Sequence, residues 1–325
     1  MIEEILPNLY RTEIPLPNNP LKSLNSYIVK SEDRFLVIDT GFNREECLEA
    51  MHANMKKLGV DLKKTDFFIT HFHSDHIGLT GRLVSEESKV YFGEWEAKKI
   101  YHLRESQNQY WESILKVYAA NGFTNAREAL AIQPLHQFGL NMKFDFTFLH
   151  DGDVIDIGDY HFRCFSAPGH TPGQMNLYEP GKKILVAGDN ILFDITPNIT
   201  YWVDMEDSLS RYLASLERVA ALDVDFVLTG HRRLVHDLKG RVRELQAHHR
   251  LRLNEVMEAL KDGEKDVLQI APYISWNITA RNWDDFPLRQ KWFAFGETLA
   301  HVLYLEDEGK VQRSRRRGKI LYSLT

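Results

Sequence analysis

Four side chains that commonly bind metal ions stand close together in the segment Thr70-His71-Phe72-His73-Ser74-Asp75-His76. The apolar stretch 66–70 that leads into them is typical of a short buried strand. A short loop at the end of a strand can turn several side chains toward one point, which a regular strand or helix with this spacing cannot do. Burying three imidazoles and a carboxylate only for packing would cost free energy. The segment therefore predicts a metal site at the end of a buried strand.

Three further candidate ligands follow the ends of later predicted strands. They are His170 in Ala167-Pro168-Gly169-His170-Thr171-Pro172-Gly173, Asp189 in Ala187-Gly188-Asp189, and His231 in Thr229-Gly230-His231. Small or turn-forming residues precede each one and allow the backbone to come close to an ion. We therefore expect four strand-end loops to converge at one rim of a sheet. A donor set of imidazoles and carboxylates suits zinc, with iron and manganese as alternatives.

Strand, turn and helix patterns alternate through residues 21–230, which favours a layered α/β architecture. Beyond His231 the pattern changes to a long charged helix at 240–261, shorter helices near 266–274 and 287–306, and an alternating terminal hairpin at 310–325. The charge also changes sign: residues 1–230 carry 22 Lys and Arg against 33 Asp and Glu, a net −11, and residues 231–325 carry 18 against 13, a net +5. These changes predict one domain at residues 1–236, which carries the candidate ligands, and a small helical domain at residues 237–325.

Composition excludes several other classes of protein. The chain of 325 residues has only two cysteines, so a disulfide scaffold is excluded and a cytoplasmic location is expected. Its acidic start lacks the basic and apolar regions of a secretory signal. No apolar run approaches the roughly 18 residues that a membrane span needs, so no membrane partner is expected.

The ligand pattern resembles that of the metallo-β-lactamase superfamily. The resemblance consists of His-x-His-x-Asp-His at 71–76, followed by His170, Asp189 and His231 in the order found in the family, with Asp39 in an earlier strand-end motif. It spans residues 20–236 and implies a four-layer αβ/βα sandwich. It also implies a division of the ligands between two divalent metal ions. His71, His73 and His170 would bind one ion; Asp75, His76 and His231 would bind the other; Asp189 would bridge them, and Asp39 would orient ligands from behind.

A pair of such ions implies a hydrolase in which a metal-activated hydroxide attacks a carbonyl or phosphoryl centre. Asp75 is the candidate catalytic side chain, since it could also help to move protons. The superfamily includes thioesterases, lactonases, glyoxalase-type hydrolases, β-lactamases, ribonucleases and mononuclear iron dioxygenases. The complete ligand set favours a dinuclear hydrolase among these.

An aromatic-rich helical insert at residues 94–143 follows the first metal loop. It would either roof the active site or pack as ordinary core, and Tyr201 with Trp202 could also face the site. As a roof, its side chains Tyr101, Tyr110, Trp111 and Tyr118 would offer apolar surface to an acyl or aromatic group. This favours a small ester, thioester or lactone as the substrate.

The C-terminal part resembles the winged-helix-like tail of the lactamase-β-like 2 subgroup, some of whose members are endoribonucleases. The resemblance lies in the long helix after the last ligand and in the segment 303–311 that enters the terminal hairpin. Basic residues in that hairpin, among them Arg315, Arg316 and Arg317, leave an RNA-cleaving or nucleic-acid-binding hydrolase as the alternative function. A supporting role for this tail is favoured over nucleic-acid binding, and a homodimer stays open.

Overall fold

The computed structural model describes residues 1–131, 144–277 and 280–325. The described residues form two compact units. The first unit consists of Met1–Glu105, 144–197 and Ser215–Arg241, and the second of 106–131, Asn198–Ala214, 242–277 and 280–325. Each unit therefore gathers stretches that are distant in the chain, and the domain boundary at residues 236 and 237 stays a prediction.

The first unit contains two mixed β-sheets. Within the described residues, one sheet has seven strands in chain order: β1 (Ile2–Leu6), β2 (Leu9–Pro15), β3 (Ser23–Lys30), β4 (Phe35–Ile38), β5 (Thr65–Ile69), β6 (Val90–Gly93) and β7 (Thr147–Leu149). Strands β1 to β4 pair antiparallel, and β4 to β7 pair parallel. Strand β5 is buried along its whole length, as its apolar sequence predicts.

The second sheet has five strands among the described residues: β8 (Val154–Ile157), β9 (Tyr160–Ser166), β10 (Met175–Glu179), β11 (Ile184–Gly188) and β12 (Phe226–Thr229). Their order in the sheet is β12-β11-β10-β9-β8. Side chains of both sheets, among them Phe68 and Leu177, share one buried apolar cluster. Two sheets packed over one core agree with the sandwich that the resemblance implies.

Helices and a terminal hairpin complete the described elements: α1 (Glu45–Leu58), α2 (Ser74–Ile77), α3 (Thr80–Leu83), α4 (Glu94–Ala120), α5 (Ala126–Ala131), α6 (Ser208–Ala220), α7 (Leu238–Leu260), α8 (Val267–Ile270), α9 (Leu288–Asp307), β13 (Val311–Arg316) and β14 (Lys319–Leu324). Helix α1 buries Cys47, Met51 and Met55 on one stripe and ends at Gly59, whose φ of 67° suits glycine. The cysteine thiol donates to the carbonyl of Pro15 in β2, which places α1 against the first sheet.

The predicted aromatic insert begins with α4, which is interrupted at Ser106 by a non-helical φ of −137°. Before the interruption, the Tyr101 hydroxyl accepts a hydrogen bond from the backbone N–H of Phe146. After it, Tyr118 is buried and packs against Trp292 and Phe295 of the second unit. The contacts of Tyr118 are those of a core residue, whereas Tyr101 is half-buried. The part of the insert at 132–143, including Phe138, lies outside the described residues, and the predicted roof over the metals stays a prediction.

The second unit contains most of the long helix α7, and the shorter helices and the hairpin that the sequence predicts near the end of the chain. The segments of the second unit are joined by buried contacts, such as the hydrogen bond that the Tyr322 hydroxyl donates to the side-chain oxygen of Asn121. The winged-helix form of this part stays a prediction. Among the residues that the structure describes, no helix combines the length and the apolar character needed to cross a membrane.

Candidate metal centre

All of the predicted ligands lie in the first unit, each just beyond the end of a strand. His71, His73, Asp75 and His76 follow β5, and the last two belong to the short helix α2. His170 follows β9, Asp189 follows β11, and His231 follows β12. The four loops predicted from the sequence thus come from both sheets of the sandwich.

These side chains form three overlapping groups whose ligand atoms lie within 4.8 Å of one another. The groups are His71–His73–His170, His71–His76–Asp189, and Asp75–His76–His231. Because His71 and His76 each belong to two groups, the candidate ligands make one continuous centre. The structure therefore brings together every metal-binding candidate that the sequence indicates.

Three imidazoles converge at one end of this centre. Nδ1 of His73 lies 3.0 Å from Nε2 of His71 and 3.0 Å from Nε2 of His170. Burial lowers the pKa of His73 to about 3, and it lowers the pKa of His71 well below the usual range. These two rings are therefore neutral at physiological pH, which is the form that binds a metal ion.

Asp189 lies between the two ends of the centre. Its Oδ2 is 3.7 Å from Nε2 of His170 and 3.6 Å from Nε2 of His231. Its Oδ1 is 3.6 Å from Nε2 of His76. One carboxylate thus faces both the three-imidazole end and the end formed by Asp75, His76 and His231, as expected of a bridging ligand.

Hydrogen bonds at the back of three of the rings aim the other ring nitrogen into the centre. Nδ1 of His76 donates to the carboxylate of Asp39 at 2.7 Å, and Nδ1 of His231 donates to the carbonyl of Ser23 at 2.8 Å. The Thr70 hydroxyl donates to Asp39 at 2.9 Å, so it can accept from Nδ1 of His71 at 3.0 Å. The acceptors assign the tautomers of these three rings and leave Nε2 of His71, His76 and His231 free to bind a ligand in the centre, whereas His73 faces the centre through Nδ1.

The interior of the centre fits a cation. Nε2 of His76, Nε2 of His231 and Oδ1 of Asp189 are buried and have no hydrogen-bond partner among the described residues. Burial opposes charge on His76, but the carboxylates of Asp39 and Asp189 raise its pKa well above the usual value. The same buried setting tends to raise the pKa of Asp75, yet the close approach of His231, whose Nε2 lies 3.3 Å from its carboxylate, lowers that pKa to about 2. Buried carboxylates here need positive charge, which either protons on imidazoles or metal ions can supply.

Two features of the structure were missed by sequence reasoning. Glu96, in the first turn of α4, is fully buried and accepts hydrogen bonds from two of the metal loops. A further group of possible ligands, His248, His249 and Glu297, lies in the second unit. There the Arg252 guanidinium donates to His248 at 2.8 Å and lies 3.0 Å from Glu297. The guanidinium therefore already supplies the positive charge that a metal ion would bring to this group.

Comparison with known proteins finds several that resemble this chain. A metallo-beta-lactamase family protein from Thermus thermophilus has a similar structure, with a TM-score of 0.83 and 26% identity over 99% of this chain and 100% of that one. A human protein named acyl-coenzyme A thioesterase MBLAC2 is 26% identical over 64% of this chain and 72% of its own length. A Claviceps purpurea protein named atrochrysone carboxyl ACP thioesterase is 23% identical over 80% of this chain and 67% of its own.

The profile of the metallo-beta-lactamase superfamily matches residues 20–231, which is well over half of the sequence. That range contains all four of the loops that form the centre. The chain belongs to the metallo-beta-lactamase superfamily and is a hydrolytic enzyme of that fold.

Proposed function

We propose that the chain is a dinuclear metal-dependent hydrolase that cleaves small thioesters, with simple esters and lactones as related substrates. The observation that carries the proposal is the position of Asp189, within 3.7 Å of imidazole nitrogens at both ends of the ligand cluster. His71, His73 and His170 would hold one ion, Asp75, His76 and His231 the other, and Asp189 would contact both. Zinc is the expected metal for this donor set.

When bound, such ions lower the pKa of water and polarise the carbonyl group of a substrate. The chain's own residues supply orientation and proton movement. Asp39, Thr70 and the Ser23 carbonyl hold three imidazole rings at fixed angles, which lowers the cost of assembling the site. Asp75, whose side chain is 14% exposed and lies 3.3 Å from His231, is the group we assign to proton exchange with solvent.

The thioester is placed first among the substrate classes because two similar proteins carry thioesterase names. Thioesters, esters and lactones share an acyl carbon that hydroxide attacks, so one centre can act on all three. Support from the aromatic insert is weaker than the sequence suggests, since Tyr110 and Tyr118 are buried like core residues.

The test begins with elemental analysis of protein purified without chelator, for which we expect about two zinc ions per chain. Stripped protein is then reloaded with zinc, manganese or iron and assayed on acyl-CoA thioesters, a p-nitrophenyl ester, a lactone, a phosphodiester and single-stranded RNA. The control variant His161→Ala changes a histidine that is 67% exposed and should keep full activity. One iron per chain, or activity on phosphodiesters alone, would contradict the proposal.

The alternative function, cleavage of RNA, depends on the basic terminal hairpin. Two of its cationic side chains already have acidic partners: Arg313 with Glu306 at 2.6 Å and Arg316 with Glu264 at 3.1 Å. These pairs reduce the positive charge that a phosphate backbone would meet. We therefore keep nucleic-acid hydrolysis as the second candidate, to be tested by the RNA arm of the same assay.

A further inference from the structure

Glu96 reaches both of the loops that supply the three-imidazole end of the centre. Its Oε2 accepts a hydrogen bond from the backbone N–H of Phe72, which stands between His71 and His73, at 2.8 Å. Its Oε1 accepts from the Thr171 hydroxyl at 2.6 Å and from the backbone N–H of Gly173 at 2.8 Å. One carboxylate thus binds the loop after β5 through one oxygen and the loop after β9 through the other.

Close packing of the second loop against the start of α4 is a separate observation. A Cβ atom added to Gly173 would lie 2.8 Å from Cβ of Trp95 and 2.9 Å from the backbone nitrogen of Glu96. A Cβ atom on Gly93 would in turn lie 2.8 Å from the carbonyl oxygen of Gly173. Only glycine permits this approach, so the first turn of α4 serves as a fixed platform for the loop that carries His170.

A buried carboxylate that accepts from three donors is suited to holding two loops in register. Glu96 is fully buried, and no glutamine can replace it without loss. If the amide oxygen of glutamine faces Thr171 and Gly173, its NH₂ group meets the N–H of Phe72. If the amide is turned round, the NH₂ group meets the N–H of Gly173. Either orientation leaves a buried N–H without an acceptor.

We propose that Glu96 is a positioning residue that ties the loop bearing His71 and His73 to the loop bearing His170, and so sets the spacing of the three imidazoles for a metal ion. This role rests on the proposed function, because it assumes that these imidazoles bind metal. The same role predicts that, in the metal-free protein, the carboxylate protects backbone amides of both loops from hydrogen exchange.

The test compares Glu96→Gln with Glu94→Gln, which makes the same substitution at a partly exposed position in the same helix turn. A milder pair is Thr171→Val, which deletes one donor, and Thr171→Ser, which restores it. Zinc affinity is measured by chelator competition, and the visible spectrum of the cobalt-loaded protein reports the ligand geometry. We expect Glu96→Gln to weaken one of two zinc ions at least tenfold and to shift the cobalt spectrum. Thr171→Val should have the same two effects more weakly, and Glu94→Gln and Thr171→Ser should match wild type.

Hydrogen exchange of the metal-free proteins separates this role from the proposed function. We expect Glu96→Gln to speed amide exchange in both loops, at residues 70–74 and 169–174, with little change in β11. Unchanged exchange there, or wild-type zinc affinity and cobalt spectrum in both Glu96→Gln and Thr171→Val, would overturn the proposal. A wild type that binds no metal would refute the proposed function, and the exchange result would then decide alone whether Glu96 joins the loops.

Discussion

Oδ2 of Asp39 lies 2.7 Å from Nδ1 of His76, and both side chains are buried. The other oxygen of Asp39 accepts from the backbone N–H of Thr70 at 2.8 Å, at the point where β5 ends and the ligand loop begins. The Asp39 backbone has a φ of 58°, a left-handed conformation that Asp and Asn tolerate better than other side chains with a Cβ. One residue therefore fixes both the start of the loop and the angle of a ligand ring.

Replacing Asp39 with Asn keeps this backbone conformation but removes the negative charge behind His76. We expect metal affinity to fall about 10- to 100-fold, the range seen when a group behind a ligand is lost. Chelator competition on the folded variant measures the change, with Asp33→Asn, at an exposed turn, as the control. Equal affinities in Asp39→Asn and wild type would show that the ring needs no such support.

Asp189→Ala should disturb both ends of the centre because its carboxylate faces His76, His170 and His231. We expect loss of at least one of the two metal ions and a fall in kcat/KM of at least about 100-fold. This loss is larger than the one expected when a residue that only supports a ligand is removed. Circular dichroism should show an intact fold. Near wild-type turnover and metal content would rule out a bridging carboxylate.

The shared core of the two sheets should dominate the stability of the first unit. Leu177 is fully buried in the cluster that both sheets form, so Leu177→Ala should lower the free energy of unfolding by about 2–5 kcal/mol. Val154 lies on the same sheet but is 56% exposed, and Val154→Ala is the matched control. Urea unfolding of both variants measures the difference; comparable losses would contradict a common core.

The ligands were predictable from sequence because each one follows a strand end marked by small or turn residues. Glu96 was not, because its burial depends on the parallel pairing of β5 with β6 and on the approach of Gly173, contacts between distant segments. In the sequence it stands only as an acidic residue in the first turn of a helix, where exposed acids are common. The interruption of α4 at Ser106 was also missed, since helical periodicity continues across it.

Acid should destabilise the second unit through its buried histidines. Burial lowers the pKa of His301 from 6.5 to about 3, although its hydrogen bond to the Glu297 carbonyl opposes the shift. The unfolded chain therefore binds a proton between these pH values that the folded chain does not, and stability falls as the pH drops through that window. Each such group contributes a slope of about 1.4 kcal/mol per pH unit.

His301→Gln keeps an acceptor for the Nδ1–H of His249, which lies 3.0 Å from His301 Nε2, but removes this titration. We expect the free energy of unfolding of the variant to depend less steeply on pH between about 6 and 4 than that of wild type, by up to one proton. Urea titrations across this range measure the slopes, with His52→Gln, at an exposed position, as the control. Identical slopes in His301→Gln and wild type would mean that His301 is protonated in the folded state.

The terminal hairpin provides the test of nucleic-acid binding. Arg315, Arg316 and Arg317 are exposed near its turn, but Arg316 pairs with Glu264, and Lys319 lies 3.9 Å from Asp266. Proteins that bind phosphate backbones without sequence specificity reach a Kd of about 10⁻⁴–10⁻⁶ M at physiological salt, and their affinity rises steeply as salt is lowered. A hairpin whose cations are partly neutralised should gain little affinity from low salt.

We expect fluorescent single-stranded RNA and duplex DNA to show no saturable binding at micromolar protein in low salt. Two results together would instead favour a nucleic-acid substrate for the metal centre. The first is micromolar binding that disappears when Arg315, Arg316 and Arg317 are changed to Gln. The second is a logarithm of the binding constant that falls linearly with the logarithm of the salt concentration.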